Sequence, residues 1–310
     1  MPRPRPHFLT TLAVVALSVA ARAADSPADL VRRAVQNEVS QDSASHFMFK
    51  DERKTAHSWE TKLIVETQDA SAGMIIAQDG QPLNPQQQQA EDARLQNYIR
   101  DPEQLAWKKR QEKDDAERTA KIVKALPDAF LYDWDGTVPG TAAVGRPSVD
   151  LVRLKFRPNP KYDPPSREQQ VLTGMSGHVL IDPNANRIAE IDATLEKQVA
   201  FGWGILGHLD RGGHFLVQQA GVQQAYVQPA KANVNNWELT RMEFAFTGKI
   251  LLFRSFAVRS TDVFSDFRPV PANLTFAQGV ELLHKELAAE QANAKLKPQP
   301  EQDKNPCCKH

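Results

Sequence analysis

Apolar and polar residues alternate along Ala189, Ile191, Ala193 and Leu195 against Glu190, Asp192 and Thr194, and again along Met242, Phe244 and Phe246 against Arg241, Glu243 and Ala245. A period of two puts each set on its own face, so both runs predict strands with one apolar and one wet side. Such runs succeed one another from Gly174 to Val270. They are punctuated by Asp182-Pro183-Asn184, by the glycines Gly202, Gly204, Gly207, Gly212 and Gly213, and by Thr247-Gly248, which reads as a close turn. Earlier strands are expected over 46–54, with Phe47 and Phe49 on one face, over 59–67, with Leu63 and Val65 on one face, and over 73–77 before the turn Asp79-Gly80. Two more, 129–133 and 150–156, precede a proline-rich connection from Arg157 to Pro165, where four prolines favour an extended surface segment.

The period changes to that of a helix in three places. Over 27–40, Ser26 stands at the N-cap, Pro27 at the first helical position, and Leu30, Val31, Ala34, Val35 and Val39 recur on one side. A central segment, 85–126, is rich in Gln, Glu, Lys, Arg and Ala and breaks at Asp101-Pro102 into two helices. The second carries only a thin apolar stripe through a charged middle from Lys108 to Lys121, so much of it is expected in solvent. A last helix, 275–290, is capped by Thr275 and presents Val280, Leu283 and Leu287. These elements predict an α+β fold, a strongly curved antiparallel sheet, in effect a half barrel, lidded on its concave side by the 27–40 helix and the central helices. Gly202, Gly204 and Gly207 fit this as a bend or bulge that lets a sheet curl. They do not fit a phosphate cradle, which needs a helix after the glycines.

Arg3 and Arg5, an apolar run from Phe8 to Ala20, and Ala21-Arg22-Ala23 have the layout of a secretory signal, with cleavage expected after Ala23. The apolar run is short of the roughly 20 residues a membrane-spanning helix needs. The leader holds three arginines and no acidic residue, so its removal takes the formal charge from zero to minus three. Lys and Arg are scattered without a basic block, which gives nucleic acid no electrostatic footprint. A soluble periplasmic or extracellular monomer is expected, one domain over 24–292 followed by a disordered tail over 293–310. The two cysteines, Cys307 and Cys308, are adjacent in that tail. They cannot staple the fold, and with His310 they read as the end of an unstructured tail more readily than as a metal clip.

Gly177-His178-Val179-Leu180-Ile181-Asp182, a turn, the strand from Arg187 to Leu195, and then Trp237-Glu238-Leu239 with the hairpin to Phe256 resemble a segment of the LolA-like superfamily, the periplasmic lipoprotein carriers and their relatives. The chain is also similar over 172–271 to secreted bacterial proteins. The superfamily resemblance implies a half-open barrel lidded by helices, with acyl chains of a lipid or lipoprotein bound in the cavity. It carries no functional residue onto a position here, and the longer central helices and the stretch 202–213 depart from it.

Three constellations carry candidate chemistry. Phe130-Leu131-Tyr132-Asp133-Trp134-Asp135-Gly136-Thr137-Val138 matches the first motif of haloacid-dehalogenase-type phosphatases, which would make Asp133 the nucleophile and Asp135 the proton shuttle. That motif belongs to a doubly wound parallel sheet, whereas a β-rich pattern follows it here, so Asp135-Gly136 reads instead as the close of a hairpin. His208, Asp210 and His214, with His178, have zinc-ligand chemistry but no compact ligand spacing. The aromatic and aliphatic residues Trp59, Leu63, Val65, Trp203, Phe215, Phe244, Phe246, Leu252 and Phe256 are the expected walls of a ligand cavity. The function that follows is non-catalytic binding of a lipid, lipoprotein or other amphiphile in the cell envelope, without a cofactor. An envelope scaffold with a filled core is the alternative, and the phosphatase a second. The exported protein is expected to begin at Ala24; an intact mass retaining residues 1–23 in a membrane fraction contradicts this.

Overall fold

The Ser26 hydroxyl accepts from the Asp29 backbone N–H at 3.2 Å and starts α1 (Pro27–Ser40) where the sequence places it. The computed structural model describes residues 26–40, 45–202, 206–222, 236–250 and 254–296, so the expected leader, the cysteines and the tail end lie outside the described residues. After α1 come β1 (His46–Thr55), β2 (Trp59–Val65), β3 (Ala72–Gln78) and the two-residue β4 (Gln81–Pro82). The helices α2 (Pro85–Arg100) and α3 (Pro102–Ala129) lead to β5 (Phe130–Pro139) and β6 (Asp150–Pro158). A short α4 (Arg167–Gln170) precedes β7 (Met175–Asp182) and β8 (Arg187–Leu195). The chain ends with β9 (Val199–Phe201), β10 (Gly207–Leu209), β11 (His214–Gly221), β12 (Trp237–Ile250), β13 (Arg254–Val270) and α5 (Phe276–Leu296).

All thirteen strands join one sheet that does not close, in the order β4-β3-β2-β1-β13-β12-β11-β8-β7-β6-β5, with β10 and β9 branching from β12. Every pairing between these strands is antiparallel. The class is α+β, as the alternation predicts. Consecutive strands β4 and β5 occupy opposite edges, so the chain between them must cross the sheet. The 28 residues of α3 span about 42 Å at 1.5 Å per residue, close to the width of ten strand spacings of about 4.8 Å. Asp101 ends α2 and starts α3: its backbone N–H donates to the Asn97 carbonyl, while its carboxylate accepts from Glu103 N–H at 3.0 Å and Gln104 N–H at 3.1 Å. The middle of α3 is exposed, as its composition predicts, with intrahelical pairs such as Lys113 to Glu117.

Two turns differ from expectation. β12 runs through Thr247-Gly248 to Ile250, because each residue from Arg241 to Ile250 keeps a partner on β13, so Thr247-Gly248 is strand and not turn. Asp135-Gly136 does not close a hairpin either. It is a bulge inside β5, two residues opposite Arg153, with Gly136 at φ 93°. The expected glycine bend is present at Gly202 and Gly207, with φ of 55° and 133°, where β9 and β10 branch from the main path.

The core is divided. Leu30, Val31, Ala34 and Val35 of α1, with Ala125, Leu126 and Ala129 of α3, pack on Leu154, Phe156, Val179, Ala193 and Leu195. Phe276, Val280 and Leu283 of α5, with Leu95 of α2, pack on Met48, Leu63, Val65, Ala72 and Met74. Burial of each of the larger side chains among these contributes on the order of 2 kcal/mol, and of each alanine under about 1 kcal/mol. The α5 lid is an addition to the expected arrangement, in which only α1 and the central helices covered the sheet. Removing the shared cap by Asp101→Ala is expected to cost about 1 kcal/mol, read as a lower urea midpoint at unchanged slope.

Candidate functional site

Directly paired residues of antiparallel strands share a face, so the register can be followed across the sheet. One row runs Glu60, Arg53, Asp262, Met242, Val217, Ile191, Val179, Leu154, Trp134. The next runs Thr55, Ser260, Phe244, Phe215, Ala193, Gly177, Phe156, Tyr132. We call this face X. It is charged at the β2, β1 and β13 end, half-buried and apolar over β12 and β11, and covered by α1 and α3 over β8 to β5. Leu63, Val65, Met48 and Met74 lie on the opposite face, under α5. The two lids therefore sit on opposite faces at opposite ends of the sheet, and not together over one concave side.

The nine expected cavity residues separate accordingly. Trp59, Leu63 and Val65 are on the α5 side; Leu63 and Val65 are core, and the Trp59 ring carries Lys54 Nζ 4.1 Å from its centroid. Phe215, Phe244, Phe246 and Phe256 are together on face X, all half-buried, with Phe215 and Phe246 reaching the core under α1. Trp203 and Leu252 lie outside the described residues. Two open hollows are found elsewhere. One, about 510 Å³, lies between α1 and α3 with Val35, Val39 and Lys124 in its wall; the other, about 460 Å³, lies beside it against Leu131 and Arg157.

The phosphatase motif is dismantled by its setting. β5 is an edge strand paired antiparallel with β6, not a strand of a parallel sheet. Asp133 is exposed, 3.9 Å from Arg157, while Asp135 is held by Lys155 at 2.8 Å and Arg153 at 3.1 Å, and the hydrogen bond from Lys155 holds its pKa below the ordinary carboxylate value. The histidines do not gather. His178 pairs with Glu190 at 2.9 Å, His208 with Asp210 at 3.2 Å and His214 with Asp192 at 3.0 Å. No group of three or more His, Cys, Asp or Glu side chains able to hold a metal occurs among the described residues.

Two charged clusters escape sequence reasoning. In the first, Arg187 lies 3.2 Å from Glu38 of α1, and Glu66 and Glu238 are close enough to repel each other. Burial, then the Glu66 charge, push the Glu238 carboxyl up to about 8, with Arg187 opposing; burial also raises Glu66, against the Phe47 N–H it accepts at 2.8 Å. The second is at the charged end of face X: Asp51 and Asp262 are buried, Asp262 pairs with Arg53 and accepts from Ser260 Oγ at 2.7 Å, and Lys62 pairs with Glu60 at 3.2 Å. A signal for it existed. Phe47, Phe49 and Asp51 alternate on one side of β1, so the strand pattern alone puts a carboxylate beside aromatic rings.

No protein-family model matches the chain, and no curated protein matches it. Among solved structures it is similar to one described as "Crystal structure of MucB in complex with MucA(peri)", with a TM-score of 0.22 and 8% identity over 79% of this chain and 99% of that one. A likeness that slight carries no argument about fold or partner. Among the described residues no helix is long and apolar enough to cross a membrane.

Glu238 gives the site a pH signature. Below the ordinary value of 4.5 both folded and unfolded chains hold its proton; between 4.5 and about 8 the unfolded chain releases it and the folded chain keeps it. Stability attributable to this group therefore falls as pH rises through that window and levels off above it. Glu238→Gln is expected to flatten the slope, stabilising by a few kcal/mol at pH 8 and hardly at all at pH 4. Urea melts at the two pH values decide it.

Proposed function

We propose that this chain is an exported, non-catalytic binding protein of the cell envelope that shelters an acyl chain of a lipid or lipoprotein on the apolar strip of face X. The observation that carries the reading is the strip itself: Val217, Met242, Phe244, Phe215 and Phe246 are half-buried on neighbouring strands between a charged pole and a helix-covered core. The described helices pack chiefly on β2 and β3 and on β5, β7 and β8, and the strip meets the α1 core only at its margin, through Phe215 and Phe246. Apolar surface contiguous over several strands marks binding faces. Each methylene laid on it contributes about 0.8 kcal/mol, so a chain of a dozen carbons reaches micromolar affinity after ordering costs. The N-terminal leader supports export, and the resemblance to the LolA-like superfamily agrees with an acyl cargo.

An environment-sensitive fatty-acid probe is expected to bind the mature protein saturably. Phe244→Glu is expected to weaken binding at least about tenfold by placing an unpaired carboxylate on the strip. The comparison holds for a variant that keeps its near-ultraviolet dichroism and melts cooperatively. Absence of saturable binding to folded native protein sinks the proposal.

A further inference from the structure

At the charged end of face X three carboxylates, Asp51, Glu60 and Asp262, face two cations, Arg53 and Lys62. Four of these five groups have partners: Arg53 with Asp262, Lys62 with Glu60. Asp51 is the remainder. It is 4% exposed, and its Oδ1 is buried without a hydrogen-bond partner. Native proteins leave few buried polar atoms unanswered, and an unpaired carboxylate is among the most costly. Arg53 and Lys62 keep 44% and 27% of their side chains exposed, so the cluster can be opened by side-chain rotation alone.

The position of Asp51 matters as much as its charge. It is directly opposite Phe264, two residues along the same face from Phe49, and one row from Asp262, whose other neighbour is Met242. From β1 to β11 the face therefore passes from a carboxylate to Met242 and Val217 within three strand spacings, about 14 Å. That is the layout of an amphiphile, a charged head and an apolar tail. A peptide is a poorer fit. The sheet's backbone groups pair with one another, and the side chains of the strip offer nothing to a second backbone laid across it.

We propose that the ligand of face X is a cationic amphiphile, an alkyl chain ending in an ammonium group, with the ammonium seated against Asp51 and the chain along Met242, Val217 and Phe244. This rests on the acyl-binding reading above and adds the head-group class. The test titrates the mature protein, by calorimetry below the micellar concentration, with decylammonium, decyl glucoside and decyl sulfate. Decylammonium is expected to bind about tenfold or more tighter than the other two, and Asp51→Asn to bring it down to the level of the glucoside. Equal affinity for all three head groups, or a preference that survives Asp51→Asn in protein with native dichroism, overturns the assignment while leaving acyl binding in place. If decyl glucoside and decylammonium both fail to bind, the acyl-binding reading falls with it.

Discussion

The crossing from one edge of the sheet to the other is the constraint on which the rest of the structure depends. β4 and β5 are consecutive in sequence and furthest apart in the sheet, so something rigid and long must join them, and α3 is that element. Its length, its cap at Asp101 and its solvated middle all follow from the task. The two ends of α3 touch different cores: Leu105 near Phe276 and Leu95, and Ala125, Leu126 and Ala129 against α1. Those cores lie on opposite faces by register, yet one helix reaches both. A twist of roughly 20–25° per strand, accumulated over the five steps from β2 to β8, turns the sheet by more than 100° and brings the two faces round to the same helix.

This geometry isolates the strip over β11 and β12. The lids need to lie where α3 can hold them, at the ends of the sheet, and the middle of face X is left with side chains that are only half-buried. The buried charges gather at the border between covered and uncovered regions, Glu238 near Glu66 and Arg187, and Asp51 near Asp262. Solvent is excluded there without a full apolar core to replace it, which is why burial is the first cause of the raised pKa of both Glu238 and Asp51.

Local pattern carried most of the elements. Alternation located β1, β2, β8 and β12, and Ser26, Asp101 and Thr275 marked helix starts, the last through its hydroxyl accepting from Gln278 N–H at 3.3 Å. Where turn chemistry competed with strand pairing, pairing won: Thr247-Gly248 and Asp135-Gly136 both look like reversals, but each lies opposite a partner strand long enough to keep the ladder going. The candidate site was legible only in pieces. Single-strand alternation says that Leu63 and Phe244 each face an apolar side, and it cannot say that the two sides are different ones. That information is in the register between β2, β1, β13 and β12, which is set by bulges such as the one between Met48 and Lys50. For the same reason alternation in β1 can put Asp51 beside Phe47 and Phe49, while the arrival of Glu60 and Asp262 at the same place is written only in the register.

The main path of an open sheet this wide has two borders at which a foreign strand could add itself, besides the three-residue β9 at the end of the side branch. One is reduced to Gln81 and Pro82, too short and with one donor missing. The other is β5, ten residues long, and there the bulge at Asp135-Gly136 breaks the run of outward amides, Asp133 and Asp135 with their partners Arg157, Lys155 and Arg153 line it with charge, and Pro139 ends it. The stretch whose letters match a phosphate-cleaving motif thus has the features of a guarded edge: bulge, charge and proline each make β5 a poor template for a foreign strand.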